Sequence, residues 1–190
     1  GEEESNIRSL IQKYDLEDHI QLLGTMSPEQ VRVHMERSQV FLFTSDFNEG
    51  WGAVLNEAMN SGCAVVANQA IGSAPYLLKH GGNGFIYQNG DLEALYQYTK
   101  KLLTDHDLAE KFGKNAGTHS TTSTGSPTPV ATNSCAHSKT ARAAGKSIWI
   151  DEFNVRASLG DSKDRYKNRD NAIKGVAAGA MVNGILNYGN

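Results

Sequence analysis

Apolar and polar positions follow two alternating periods along residues 1–116, one of helices and one of buried strands. Ile7, Leu10 and Ile11 share one face over residues 7–13, which predicts a helix, and "HIQLLG" follows as a short strand. "SPEQ" then marks a helix start with a mechanism. Ser27 can cap, Pro28 suits the first helical position, and Gln30 stands where a capping box needs it. Val31, His34, Met35 and Ser38 fall on the face of that helix expected to touch a sheet. "QVFLFTS" is an unbroken apolar run, as expected of a strand covered on both faces. The unit repeats: a helix from about Gly52 to Asn60 leads through Ser61-Gly62 to the strand "CAVVAN". The loop "QAIGSAP" opens a short helix "YLLKH", "GGNGFIY" makes a turn and a strand, and Asp91 caps the helix "LEALYQYTKKLL". Strands separated by helices predict an α/β fold with a doubly wound parallel sheet.

Beyond residue 116 the pattern stops. Residues 117–145 are Ser, Thr, Ala, Gly and Pro with almost nothing to bury, which predicts a flexible linker. Residues 146–190 form a tail in which "KSIWIDEFNV" is strand-like and "NRDNAIKGVAAGAMVNGIL" has a small-residue helical pattern. One strand and one helix make too little core to fold alone, so this tail must dock on something or be a piece of something larger. Residues 117–190 are therefore read as a fused fragment or an assembly artefact, not as a native partner of the first segment.

Composition narrows the function classes. A net charge of -3 and a pI near 6.1 favour neither nucleic acid nor an anionic membrane surface as partner. "VAAGAMVNGIL" is far short of a membrane span and contains Asn183, and the acidic start "GEEESNIRSL" is no signal peptide. Two cysteines, Cys63 and Cys135, lie in regions of unlike character, so no disulfide framework is expected and the chain reads as cytoplasmic.

The candidate chemistry lies in "SDFNEGWGAVLNEAMNSGCAVVAN", residues 45–68. In an open parallel sheet, ligands sit beyond the carboxyl ends of the strands, and residues 46–52 fall at that edge. The helix that follows offers N–H groups and a positive dipole end to a phosphate, and Gly50 and Gly52 let backbone approach a ligand closely. In one continuous helix Glu49 and Glu57 would stand about 12 Å apart along the axis, but the intervening turn can fold Glu49 back over the helix start. Carboxylates accept from sugar hydroxyls better than they hold phosphates, so a ligand with central phosphates and hydroxyls at both ends suits the set. That describes a nucleotide-sugar.

Glu49, seven intervening residues and Glu57, within "NEGWGAVLNEAMNSGCAVVA", resemble the E-x7-E motif of retaining family-4 glycosyltransferases. The resemblance covers residues 1–116: Gly1-Glu2-Glu3 looks like the end of the family's glycine-rich turn, "IQLLGTMSPEQV" like its strand, loop and helix, and "GGNGFIY" with "GDLEALYQYTKKLLTD" like its closing turn and helix. It implies the Rossmann-like, C-terminal, donor-binding half of a GT-B fold, working without a metal ion or other cofactor. By motif position Glu49 would be the catalytic residue that hydrogen-bonds the transferred sugar. Glu57 would accept from the ribose, the N–H groups around Gly50, Trp51 and Gly52 would face sugar and pyrophosphate, and Gly24 and Thr25 would take the nucleobase. The family's donor-phosphate Arg and Lys would precede Gly1, and its acceptor-binding N-terminal domain is missing. The expectation is a chain that alone binds donor weakly and transfers nothing. In the whole enzyme, a peripheral membrane association and a glycan or lipid-linked acceptor would fit a role in polysaccharide biosynthesis. The sequence departs from the family in "IGSAPYLL", where Pro75 and Tyr76 stand near the position of a glutamate, and no role is carried over there.

Other readings attach to the same residues. Glu49 and Glu57 can be solvated charges, Trp51 can be plain packing, and Cys63 reads as a small hydrophobe heading a buried strand. The six histidines show no metal-ligand spacing, Asp105-His106-Asp107 only imitates a metal signature at the end of a surface helix, and "GGNG" is a turn. One rival function is a nucleotide-binding module with no chemistry of its own. A second comes from the tail, where "IWIDEFNV" resembles a (β/α)8 glycoside hydrolase strand that carries a catalytic glutamate at its C-terminal end, here Glu152. That chemistry normally needs a partner carboxylate about 5 to 10 Å away and a barrel of eight strands.

Overall fold

The computed structural model describes residues 2–18, 20–47, 49–123, 146–150 and 155–159. Its elements in chain order are α1 (Glu2–Lys13), β1 (Ile20–Leu22), α2 (Pro28–Arg37), β2 (Val40–Phe43), α3 (Val54–Asn60), β3 (Ala64–Asn68), α4 (Ala74–Leu77), β4 (Gly84–Tyr87), α5 (Leu92–Thr104), α6 (His106–Ser123), β5 (Lys146–Ile150) and β6 (Val155–Leu159). The six strands form one sheet in the order β1-β6-β5-β2-β3-β4. β2 pairs in parallel with β3 and β5, and β3 with β4, whereas β6 runs antiparallel to both its neighbours.

Strand periodicity explains why the sheet is covered on both faces. Val40, Leu42, Ala64, Val66, Phe85 and Tyr87 point to one side, where Ile7 and Ile11 of α1, Leu95 and Leu102 of α5 and Phe112 of α6 close the core. Phe41, Phe43, Val65 and Ala67 point to the other, against Met35 of α2, Leu55 and Met59 of α3 and Leu77 of α4. The continuous apolar runs thus mark doubly covered strands, as expected. Cys63 is buried among these apolar neighbours, and its thiol donates to the Met35 carbonyl at 3.1 Å.

Local signals set the helix ends. Ser27 Oγ accepts from Gln30 N–H at 3.4 Å while Gln30 Oε1 accepts from Ser27 N–H at 2.9 Å, completing the capping box. Hydrogen bonds from the Ser27 side chain and then from its own N–H hold the neighbouring Glu29 carboxyl below the usual range. Asp91 accepts from Ala94 N–H at 2.9 Å at the start of α5. The "GGNG" turn is built on buried Asn83, which accepts from Lys79 N–H at 2.6 Å and donates to the Leu77 carbonyl at 3.0 Å.

Four expectations are corrected. α1 begins at Glu2, ahead of the periodic residues 7–13. The short helix predicted over "YLLKH" is shifted to Ala74–Leu77, because Pro75 occupies its first turn and Leu78 is already extended. Asp105 closes α5 as expected, its N–H donating to the Lys101 carbonyl at 2.9 Å, and its carboxylate also accepts from Leu108 N–H at 3.0 Å, so that it starts α6 as well. α6 in turn runs to Ser123, through the boundary expected at residue 116. Its buried Ala109, Phe112 and Ala116 dock on the domain, and a helix once formed propagates through polar residues at little further cost. Residues 124–145 of the expected linker and 151–154 and 160–190 of the tail lie outside the described residues. The tail carries two described strands where one was read, and both join the sheet.

α6 passes from one face of the sheet to the other where Gly113 lies against the Gly62 backbone, and a side chain there would strike the Gly62 carbonyl. Gly113→Ala should destabilise the chain by about 1–3 kcal/mol, read as a lower midpoint in urea. An unchanged midpoint would show that α6 is free to lift.

Candidate functional site

β2 delivers the chain to the carboxyl edge of the sheet at Phe43, and Ser45 remains buried just beyond it. The chain then reverses: Glu49 N–H donates to the Asp46 carbonyl at 3.2 Å, and Gly50 and Gly52 take positive φ values of 69° and 72°. Ser45 Oγ donates to Glu49 Oε2 at 3.2 Å. The Glu49 carboxylate is thus folded back over the strand end, where the sequence led us to expect it over the helix start. α3 follows, with Ala53 at its cap making no side-chain bond to the first turn. Glu57 stands in that first turn and is exposed.

The two glycines serve different needs. Around Gly50 there is open space, so only its backbone conformation calls for glycine. At Gly52 a Cβ would meet Ile71 Cγ2 at 2.7 Å and Phe43 Cε1 at 2.9 Å. The expectation that Gly52 clears room for a ligand is corrected: the room it clears is toward the core.

The turn is pinned by a loop about twenty residues further along the sequence. Gly72 N–H donates to the Gly50 carbonyl at 2.8 Å, Ser73 N–H to the Trp51 carbonyl at 2.9 Å, and Ser73 Oγ to the Gly52 carbonyl at 3.3 Å. Ser73 is fully buried. Sequence reading singled out Gly50, Trp51 and Gly52 but missed Ser45, Gly72 and Ser73, which hold them. The loop's small residues were the available signal. It also missed Asn56, whose Oδ1 is buried without a hydrogen-bond donor, one residue from Glu57.

Trp51 is not core packing: it is 51% exposed, and its ring faces Tyr76, which is 79% exposed, with centroids 5.8 Å apart. Gly24 and Thr25 follow β1 at the same edge of the sheet, both exposed, Gly24 at φ 67°. Two strands separate β1 from β2, so three interstrand spacings, about 14 Å, lie between Gly24-Thr25 and the Glu49 turn. Glu152 lies outside the described residues. Among the described residues no three His, Cys, Asp or Glu side chains are grouped to hold a metal ion, and no helix is long and apolar enough to cross a membrane.

Residues 1–119 match the model of the family described as glycosyl transferases group 1. Among curated proteins, an exopolysaccharide phosphotransferase of Streptomyces coelicolor is 28% identical over 121 residues, covering 64% of this chain and 13% of that protein. The N-acetyl-alpha-D-glucosaminyl L-malate synthase of Bacillus anthracis is 28% identical over 116 residues, covering 61% of this chain and 29% of that protein. Among solved structures, the sucrose-phosphate synthase from Thermosynechococcus elongatus superposes with a TM-score of 0.57 at 26% identity, covering 64% of this chain and 30% of that one. HepE of Anabaena, solved in complex with UDP-glucose, superposes with a TM-score of 0.55 at 25% identity, covering 62% of this chain and 32% of that one. The chain therefore spans less than a third of the length of each of these proteins.

Proposed function

The chain belongs to the group 1 glycosyl transferase family, and from that premise we propose that residues 1–116 are the donor-binding part of a retaining enzyme. It moves a sugar from a nucleotide-sugar to an acceptor. One observation carries the reading: Glu49 is folded back on Ser45 at the mouth of a pinned glycine turn, with Glu57 exposed in the next helix's first turn. The UDP-glucose complex of the Anabaena neighbour supports the donor class.

In this reading Glu49 accepts from the transferred sugar and orients it for attack, and Glu57 accepts from the ribose hydroxyls. Backbone N–H groups of Gly50, Trp51 and Gly52 face sugar and pyrophosphate, and the first turn of α3 stabilises the charge that develops on the leaving nucleotide. Gly24 and Thr25 take the base. The transfer proceeds without a metal ion. The acceptor, a glycan or lipid-linked chain, is held by an N-terminal half in the whole enzyme, and the exopolysaccharide relative supports a setting in polysaccharide synthesis.

The rival is a nucleotide-binding module without chemistry, and titration separates the two. Followed by NMR, UDP or GDP should move the Gly52, Glu57 and Thr25 signals, and only the sugar conjugates should also move Glu49. Glu57→Ala should weaken nucleotide and conjugate alike by roughly tenfold, the loss of one charged hydrogen bond. Glu49→Ala should weaken the conjugate alone and so abolish discrimination between the two. Discrimination that survives Glu49→Ala would favour the bare module.

A further inference from the structure

The site's edge carries a feature that donor binding leaves unused. Trp51 and Tyr76 expose their rings side by side, 5.8 Å apart and inclined at 37°. Phe47, in the same turn, is 71% exposed. These are three of the five large hydrophobic side chains exposed among the described residues, gathered at the carboxyl edge of the sheet. Clustered apolar exposure of this kind marks a contact surface.

The backbone beneath the rings is fixed. Ser73 N–H donates to the Trp51 carbonyl at 2.9 Å, and the Ser73 carbonyl accepts from Tyr76 N–H at 3.1 Å. One buried residue therefore sets the positions of both aromatic residues, and the surface they form is organised before any ligand arrives.

We propose that Trp51 and Tyr76 form a stacking platform for a pyranose ring of the acceptor, a neutral hexose-chain glycan. The proposal rests on the donor-site reading above, narrows the acceptor to a neutral hexose chain, and adds to the hold of the N-terminal half one contact made by this chain. The geometry selects the occupant. Sandwiching a flat base needs two stacking distances between rings, about 7 Å, and centroids at 5.8 Å leave no such slot. What remains is a shallow, inclined apolar surface, which suits the C–H face of a pyranose laid across two rings. Neither ring carries a charge, so an anionic glycan gains nothing there. Trp51 follows Glu49 by two residues, so the platform stands on the same turn that carries Glu49.

The test is an NMR titration of the full chain with cellohexaose and with maltohexaose, read at the Trp51 indole N–H. The chain has two tryptophans, so that signal is assigned by comparison with a Trp149→Phe variant. At least one oligosaccharide should shift the Trp51 signal saturably. Tyr76→Ala should weaken that binding by about tenfold or more, Tyr76→Phe should preserve it, and UDP binding should be the same in all three proteins. The proposal is overturned if neither oligosaccharide moves Trp51 while UDP still binds. It is also overturned if Tyr76→Ala binds oligosaccharide as well as the unaltered chain, or if it weakens UDP, which would assign the rings to the donor. Loss of UDP binding in the unaltered chain would instead strike the donor-site reading.

Discussion

Gly52→Val should lower the stability of the chain by about 2–6 kcal/mol, whereas Gly50→Ala should lower it by about 1 kcal/mol. Both glycines have φ near +70°, so the backbone penalty is shared, and a β-branched residue bears it worse. The difference is space. Gly50 has open surroundings, whereas a Cβ at Gly52 is driven into Ile71 and Phe43, both fully buried. Relief requires the turn to lift from the core, and lifting breaks the bonds from Gly72 and Ser73 that hold residues 50–52. Conjugate binding should therefore fall with stability in Gly52→Val and persist in Gly50→Ala. Urea midpoints and a UDP-glucose titration of both variants measure this, and equal midpoints would show that the turn does not rest on the core. A domain of this size has only about 5–15 kcal/mol to lose, so Gly52→Val approaches the limit of folding.

Sequence and structure agree where the controlling interaction is short-range. The Ser27–Gln30 capping box, the Asp91 cap and the doubly covered runs around Phe41 and Val65 are written within a few residues of one another. A reversal at Glu49 was legible for the same reason, although its direction, onto Ser45 four residues back, was not. What was not legible is long-range. The Ser73 pin crosses 21 residues, and nothing near Trp51 announces Tyr76 as its neighbour. The helix α6 was missed because its polar end hides an apolar seam, Ala109, Phe112 and Ala116, that meaningful packing reveals only once α3 and β3 are in place. Sheet order is longest-range of all, and periodicity carries no information about which strand neighbours which.

Deleting residues 124–190 should have the other large effect, because that segment supplies the two strands between β1 and β2. Val40, Phe41 and Leu42 pair with Ile148, Trp149 and Ile150, and Ile20, Gln21 and Leu22 pair with Ala157, Arg156 and Val155. Without β6, β1 loses its one neighbour among the described strands. Without β5, β2 becomes an apolar edge strand, the kind that recruits other chains. Each ladder bond lost is worth about 1 kcal/mol net, so the shortened chain should unfold at a clearly lower urea concentration and self-associate as its concentration rises. A synthetic peptide spanning residues 146–159 should restore the midpoint and suppress the association. UDP-glucose binding should weaken in parallel, since β2 leads directly into the Glu49 turn. A shortened chain that stays monomeric and melts unchanged would mean that β1 and β2 close on each other, and that residues 146–159 ride on a self-sufficient domain. That outcome would favour the fused-fragment origin of the tail. A loss repaired by the peptide would show instead that, whatever its origin, the tail holds the strand on which the donor site is built.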